Sequence, residues 1–337
     1  MGAGTTERSL VAAARAGDEA AFRSLTAPYA RELHVHCYRM LGSIQDAEDA
    51  FQETMLRAWR HLATFQERSR FRAWLYRIAT NACLAAAARR PRDPPLESPY
   101  GTTPEGEVTT LAPYPDELLD ELPSTAPEPG ARYDLRESVQ LAFLASVQHL
   151  PPRQRAVLLL RDVLGFAATE VAELLDASNA SVNSALQRAR ATLDCRHAEG
   201  RLGVGRVAPP DEVERALVQR YVDAWESVDV PRLVALLRED VLMTMPPAPV
   251  LFRGRQAIGD FFSTVPAGGA LDQIRLLPTR ANRQPALGGY VLDREAGLYR
   301  AYGLMVLTLD GDAIAEITGF NDPSLFPLFG LPLELEA

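Results

Sequence analysis

The chain has 337 residues, 47% of them hydrophobic and 23% charged, with a formal net charge of −9 at pH 7. That length allows two or three domains with substantial cores, and no apolar run approaches the roughly 20 residues that a membrane-spanning helix needs. Cys37, Cys83 and Cys195 show no Cys-x-x-Cys spacing, which argues against a disulfide framework or a zinc knuckle.

The opening residues, MGAGTTERSL, lack a charged-then-apolar signal pattern, so a cytoplasmic location is the expectation. Lysine is absent and every basic residue is arginine. His34, His36 and Cys37 lie close together, but no fourth ligand accompanies them, and they read as packing or surface residues. No metal or cofactor is expected.

Residues 8–92 read as helices. Leu10–Ala16 and Ala20–Tyr29 begin a bundle, with Asp18 placed to cap the second helix after Gly17. Gly42-Ser43 punctuates before Asp46–Arg60, DAEDAFQETMLRAWR. There Ala47, Ala50, Phe51, Thr54, Ala58 and Leu62 recur at three- and four-residue steps as one buried face. Asp46, Asp49 and Glu53 recur at the same steps on another face, so the helix can pack inward while presenting carboxylates to a basic partner.

From Arg57 to Arg92 the chain carries nine arginines and one acid, Glu67, a net charge of +8. Trp59, Phe65, Phe71, Trp74 and Tyr76 are interleaved with them. Arginines supply phosphate contacts and aromatic faces can stack on unpaired bases, so the mixture suits partly single-stranded nucleic acid.

DAEDAFQETMLRAWR followed by RFRAWLYRIATNACLAAAARR resembles sigma region 2 of the extracytoplasmic-function sigma factors, the bacterial transcription-initiation subunits. The Asp-Ala-Glu-Asp start, the Gln52–Glu53 pair and the Trp-Leu-x-x-Ile-Ala-x-Asn string at Trp74–Asn81 carry the likeness. The resemblance implies that Asp46, Asp49, Gln52 and Glu53 bind the RNA polymerase core through its β and β′ subunits. It also implies that Gln66–Arg70 is the loop capturing an unstacked base of the −10 element. Arg70, Arg72, Trp74, Arg77, Asn81, Arg89 and Arg90 are then the −10 contacts.

Residues 93–134 carry ten acids against Arg132 and are rich in proline, the composition of an extended linker. The family's linker threads through the polymerase toward the RNA exit path. Asp116–Glu121 is expected to make a short helical turn, anchored by Leu118, Leu119 and Leu122.

Residues 135–198 form a second helical domain. Val139, Phe143, Val147 and Leu150 make one stripe, and Pro151-Pro152 ends that helix and starts the next. Ala168–Leu175, a turn at Asp176–Asn179 and Ala180–Leu193 then make a helix-turn-helix. Val182, Leu186, Ala189 and Leu193 face inward, which leaves Ser181, Asn183, Ser184, Gln187, Arg188 and Arg190 for base edges and phosphates. HLPPRQRAVLLLRDVLGF, EVAELL and SVNSALQRARATL resemble sigma region 4, which reads the −35 element. Two departures stand out. Ala167 replaces the family's usual hydroxyl cap, and Asn183 and Ala185 stand where Lys and Arg are common.

Residues 199–210 are a second linker, and 211–337 change character. Val213, Leu217, Val218, Tyr221 and Trp225 mark an amphipathic helix, and Pro231–Arg238 begins another. Val241–Met245, Gln273–Pro278, Gly289–Asp293, Tyr299–Leu309 and Ala313–Phe320 read as strands, with an Asp-Gly hairpin turn at Leu309–Asp312. Element order and the Gly-x-x-Ala-Ile-x-x-Phe string at Gly254–Phe261 resemble a SnoaL-like domain, the cone-shaped nuclear-transport-factor-2-like fold. The fold class is thus multidomain: two all-α sigma domains plus a C-terminal α+β cone. Trp225, Met243, Phe262, Tyr290, Tyr302 and Asn321 are the candidate lining of a tail pocket for a small molecule. Enzymes of that fold use an Asp, Glu or His base; this domain has no histidine, and Asp240 is the best-placed acid.

Three functions compete. The first is a sigma factor that initiates at promoter DNA, with its tail modulating activity in cis, not an enzyme and not membrane-bound. The second is a one-component, ligand-sensing DNA-binding regulator. The third is an isomerase- or cyclase-like enzyme fused to a DNA-binding region. The acidic Asp46–Glu53 face favours the first, because a regulator working without polymerase has no use for it.

Overall fold

The computed structural model describes residues 3–65, 70–89, 111–120, 137–198 and 209–336. The chain divides into two compact units, one of Met1–Arg92, Glu117–Val139 and Leu144–Glu199, the other of Asp93–Asp116, Gln140–Phe143 and Gly200–Ala337.

The first unit is helical. It opens with α1 (Ala3–Arg15), α2 (Glu19–Leu41), α3 (Ile44–His61) and α4 (Phe71–Arg89). Asp18 caps α2 as expected, its carboxylate accepting from the N–H groups of Ala20 and Ala21 at 2.9 and 3.0 Å. The expected end at Tyr29 is corrected: α2 runs through Pro28 to Leu41, where Gly42 takes φ 72° and closes it. Proline forfeits one backbone hydrogen bond, and the buried run Leu33–Leu41 outweighs that loss. The small buried residues of α3, Ala47, Ala50, Thr54 and Ala58, let it lie close against its neighbours.

A short α5 (Asp116–Asp120) and α6 (Leu141–Gln148), whose opening residues Asp116 and Leu141–Phe143 count with the other unit, precede α7 (Pro152–Leu158), α8 (Ala168–Leu174) and α9 (Asn179–Ala198). Pro152 sits at the first turn of α7, where its missing N–H costs nothing, and α7 runs on through a wider π turn at Leu159–Val163. Ala167 offers the first turn of α8 no side-chain acceptor, and the reverse half of a capping box is what remains: the Glu170 carboxylate accepts from the Ala167 N–H at 2.7 Å. Asp176, at φ 46°, makes the turn into α9.

The second unit is an α+β cone. It contains α10 (Asp211–Glu226), α11 (Val230–Ala235), β1 (Leu237–Met245), β2 (Ala248–Arg253), α12 (Arg255–Thr264), β3 (Ile274–Ala281), β4 (Gln284–Asp293), β5 (Leu298–Asp310), β6 (Ala313–Phe320) and β7 (Glu334–Glu336). The sheet runs β2-β1-β6-β5-β4-β3, with β7 on β5. Only the β1–β6 pair is parallel among these strands. Leu217, Tyr221, Trp225, Ile258 and Phe262 from the helices close over Met243, Leu276, Leu287, Leu307 and Ile317 of the sheet to form its core. Sequence periodicity missed β2 and β7, and the element after Asp229 is a shorter helix than expected, because β1 already begins at Leu237.

Candidate functional site

In α3 the acidic face forms as expected. Asp49 and Gln52 are exposed, and Asp46 and Glu53 half-exposed, on the side opposite the buried alanines. Gln52 donates to Glu48 at 2.9 Å, and Arg57 donates to Glu53 at 2.6 Å one turn later. Glu48 also meets His34 at 3.1 Å. Burial lowers the His34 pKa, with Glu48 opposing. His36 is fully enclosed and bonded to Thr80 at 3.0 Å, and burial, helped by Arg39 and Arg72, brings its pKa down to about 3. Cys37 and Cys83 are buried free thiols; the Cys37 contact and burial together push the Cys83 thiol up.

The −10 set separates into groups. Arg70, Asn81 and Arg89 are exposed; Arg90 and the loop positions 66–69 lie outside the described residues. Trp74 is half-buried in an aromatic cluster, stacked on Phe71 at 5.5 Å and tilted against Phe65 at 5.4 Å. Arg72 grips Glu32 with Nε at 3.0 and 3.2 Å and Nη2 at 3.1 Å, its guanidinium over the rings of Tyr76 and Phe166 at 5.1 and 5.3 Å. Arg77 donates to Asp176, in the turn before α9, at 2.9 and 3.1 Å. Arg72 and Arg77 are thus spent on intramolecular partners here.

On α9, Ser181, Asn183, Ser184, Gln187 and Arg188 are exposed, and Val182, Leu186, Ala189 and Leu193 are buried. Arg190 differs from the rest of its expected group. It makes a two-pronged pair with Asp162, at 2.6 and 2.8 Å, and Asp162 is 1% exposed.

The cone holds a cavity at which five of the six expected residues, Trp225, Met243, Phe262, Tyr302 and Asn321, converge. Tyr290 does not. It is fully buried with its hydroxyl donating to the Pro332 carbonyl at 2.9 Å and its ring edge-on to Phe326. Between β4 and β5 the register slips, pairing Gly289 with Gly303 but Tyr290 with Ala301, so Tyr302 is skipped. An unbroken ladder would set the two tyrosines opposite each other on one face. Asp240 lies outside the cavity lining and pairs with Arg238 at 2.8 Å.

Sequence reasoning missed one site entirely. The β3–β4 hairpin turns at Asn282-Arg283, both at positive φ, 57° and 61°. Residues 114–116, from the stretch whose composition marked an extended linker, lie on this turn. The Asn282 side-chain oxygen accepts from the Tyr114 N–H, and the Asn282 N–H donates to the Tyr114 carbonyl, both at 2.8 Å. The Asp116 carboxylate accepts from the Arg283 N–H at 2.6 Å and Arg280 Nε at 3.2 Å. Burial raises the Asp116 pKa against the pull of these donors. Gln284 accepts from the Leu141 N–H at 3.0 Å while donating to Thr308 at 2.7 Å. Tyr114 and Asn282 are both fully buried, so each of these polar groups is matched where water cannot serve.

Residues 25–92 match the family described as Sigma-70 region 2, 140–193 match Sigma-70, region 4, and 218–317 match the SnoaL-like domain. The chain is 42% identical over 327 residues to the ECF RNA polymerase sigma factor SigG of Mycobacterium tuberculosis, spanning 94% of this chain and 85% of that protein. It is 29% identical over 177 residues to the ECF RNA polymerase sigma factor SigW of Bacillus subtilis, covering 52% of this chain and 89% of that one. In fold it is similar to the crystal structure of the Mycobacterium tuberculosis extracytoplasmic function sigma factor SigJ, with a TM-score of 0.57 at 23% identity over 90% of this chain and 96% of that chain.

Proposed function

The chain belongs to the extracytoplasmic-function RNA polymerase sigma factors, with a SnoaL-like domain fused at its C-terminus, and from that premise we propose that this tail restrains initiation in cis by holding the linker between sigma regions 2 and 4. Members of the family direct RNA polymerase core to promoter DNA and are not enzymes. No helix among the described residues is long and apolar enough to cross a membrane.

The finer assignments follow the exposure of each side chain. Asp46, Asp49, Gln52 and Glu53 serve as the docking face for the β and β′ subunits, a row of carboxylates for a basic partner. Arg70, Trp74, Asn81 and Arg89 serve the −10 element directly, and Arg72 and Arg77 join them after leaving Glu32 and Asp176. Ser181, Asn183, Ser184, Gln187 and Arg188 read the −35 element.

The observation carrying the cis reading is the reciprocal pairing of Tyr114 with Asn282. A linker segment bound along a hairpin cannot also lie extended along a polymerase channel, so the two placements compete. Tethering helps the hairpin, because a short linker gives an effective concentration in the millimolar range. Run-off transcription with purified core polymerase tests this. Asn282→Gly, which loosens the grip, should raise output over wild type; equal output from both proteins rejects the restraint.

A further inference from the structure

The outward face of α9 carries few long side chains. At about 100° per residue, Val182, Leu186, Ala189 and Leu193 centre the buried side, and Ala180, Ser184, Gln187 and Ala191 run along the middle of the opposite one. All four of these are exposed. Asn183 flanks the row on one side, and Ser181 and Arg188 flank it on the other. Gln187 is thus the one long side chain on the crest of the helix, between an alanine and a serine.

Its amide is also unspent. The side chains of Asn183, Ser184 and Gln187 bond to no described residue. The cations nearby are engaged instead: Arg190 by Asp162, Arg153 by the Leu175 carbonyl at 3.0 Å, and Arg161 by the Phe166 carbonyl. The Ser178 hydroxyl accepts from the Ser181 N–H at 3.1 Å, which fixes the first turn of α9. Small residues along a crest let a helix backbone sink into a major groove, and a side chain standing alone there meets base edges before it meets phosphate.

We propose that Gln187 determines the sequence specificity of α9 by reading an adenine in the major groove, its amide oxygen accepting from N6–H and its amide nitrogen donating to N7. This rests on the assignment of α9 to the −35 element. A glutamine amide offers one acceptor beside one donor group, which matches the donor and acceptor of adenine. Guanine presents two acceptors, O6 and N7, and would set one of them against the amide oxygen. Arg188, off the crest, is placed for the phosphates that border the groove.

The test is selection of bound sequences from a fully randomised duplex library by the full chain assembled with purified core polymerase. The wild type should enrich a motif in which adenine is favoured at one position by ~5–100-fold over the other bases. Gln187→Glu should move that position to cytosine, whose N4 amino group donates to a carboxylate, and Gln187→Ala should flatten it. Replacing that adenine with 7-deazaadenine, which lacks the N7 acceptor, should weaken the wild type by ~5-fold or more and leave Gln187→Ala unchanged. Gln187 is exposed, so its variants should keep Tm within ~1 °C. Ser184→Arg, whose bulk holds the crest away from the bases, separates two kinds of failure. A motif that Ser184→Arg alters and the Gln187 variants do not, or a Gln187-dependent position that is not adenine, overturns this proposal and leaves α9 as the −35 reader. No enriched motif, or one that none of these variants alters, overturns the −35 assignment of α9 and the proposal with it.

Discussion

Tyr114 and Asn282 exchange two hydrogen bonds of 2.8 Å each, although 168 residues separate them in sequence. One of the two rests on the Asn282 side chain and the other on its backbone, so they can be dissected. Asn282→Gly keeps the turn, because glycine adopts positive φ freely, but removes the acceptor for a buried N–H. The loss should be about 1–3 kcal/mol. Amide exchange across 111–116 should accelerate by ~5-fold or more. Unchanged exchange would show that the side chain is dispensable to the grip.

How much of this was legible in the sequence depends on how local each feature is. The α3 faces and the α9 split into buried Val182, Leu186 and Ala189 and exposed Ser181, Asn183 and Gln187 follow from helical period alone, and both hold. The grip on residues 114–116 is non-local. Proline and acid content describes what a segment does in water and carries no information about a hairpin far along the chain. The turn at Asn282-Arg283 also lacks the glycine that marked Leu309–Asp312. Tyr290 and Tyr302 were grouped in one pocket, and the slip that skips Tyr302 between β4 and β5, invisible in the sequence, puts them on different faces.

Arg155 should be costly to remove. It is 6% exposed, and its guanidinium donates to the carbonyls of Met40, Gln148 (2.7 Å) and Leu150 (3.1 Å) and to the Gln148 side chain. Gln148 in turn donates to the Arg39 carbonyl at 3.1 Å, so one network joins the end of α2 to α6 and α7. Arg155→Met leaves several buried carbonyls unsatisfied and should cost about 3 kcal/mol or more. In a domain of this size that lowers Tm by roughly 6–12 °C. A thermal melt checks it.

Acid stability should depend on His36. Its folded pKa of about 3 lies below the ordinary value of 6.5, so below pH 6.5 the unfolded chain binds the extra proton. Stability is therefore fully present above pH 6.5 and falls as pH drops toward 3, at up to ~1.4 kcal/mol per pH unit for one proton. His36→Gln, which keeps a polar partner for Thr80, should flatten the dependence of urea unfolding free energy on pH between 6 and 4. An equally steep profile would assign the slope to other groups.

Core docking is checked on Asp49, which is exposed and projects from a helix whose opposite side is packed. Asp49→Arg should leave Tm within ~1 °C and weaken binding to purified core polymerase by at least ~10-fold, because a repulsive charge replaces an attractive one at the contact. Retained affinity would remove this face from the docking surface.

Arg188 and Arg190 separate what the sequence grouped together. Arg188 is exposed on α9, free to meet phosphate or a base edge, so Arg188→Ala should leave Tm unchanged while weakening promoter binding and reducing its salt slope by about 1. Arg190 instead neutralises Asp162, whose side chain is 2% exposed, whereas that of Arg190 is 38% exposed. Arg190→Ala would strand a buried carboxylate, at a cost of about 1–3 kcal/mol after discounting for the solvent-screened arginine. Asp162→Asn should relieve part of that cost in the double variant, because an amide needs no counter-charge in the same place. The two arginines thus predict opposite signatures: lost affinity with intact stability for one, and lost stability that a second substitution restores for the other. Salt-dependent binding and thermal melts on the same four proteins distinguish them, and indistinguishable behaviour of Arg188→Ala and Arg190→Ala would mean that the Asp162 pair does not define the role of Arg190.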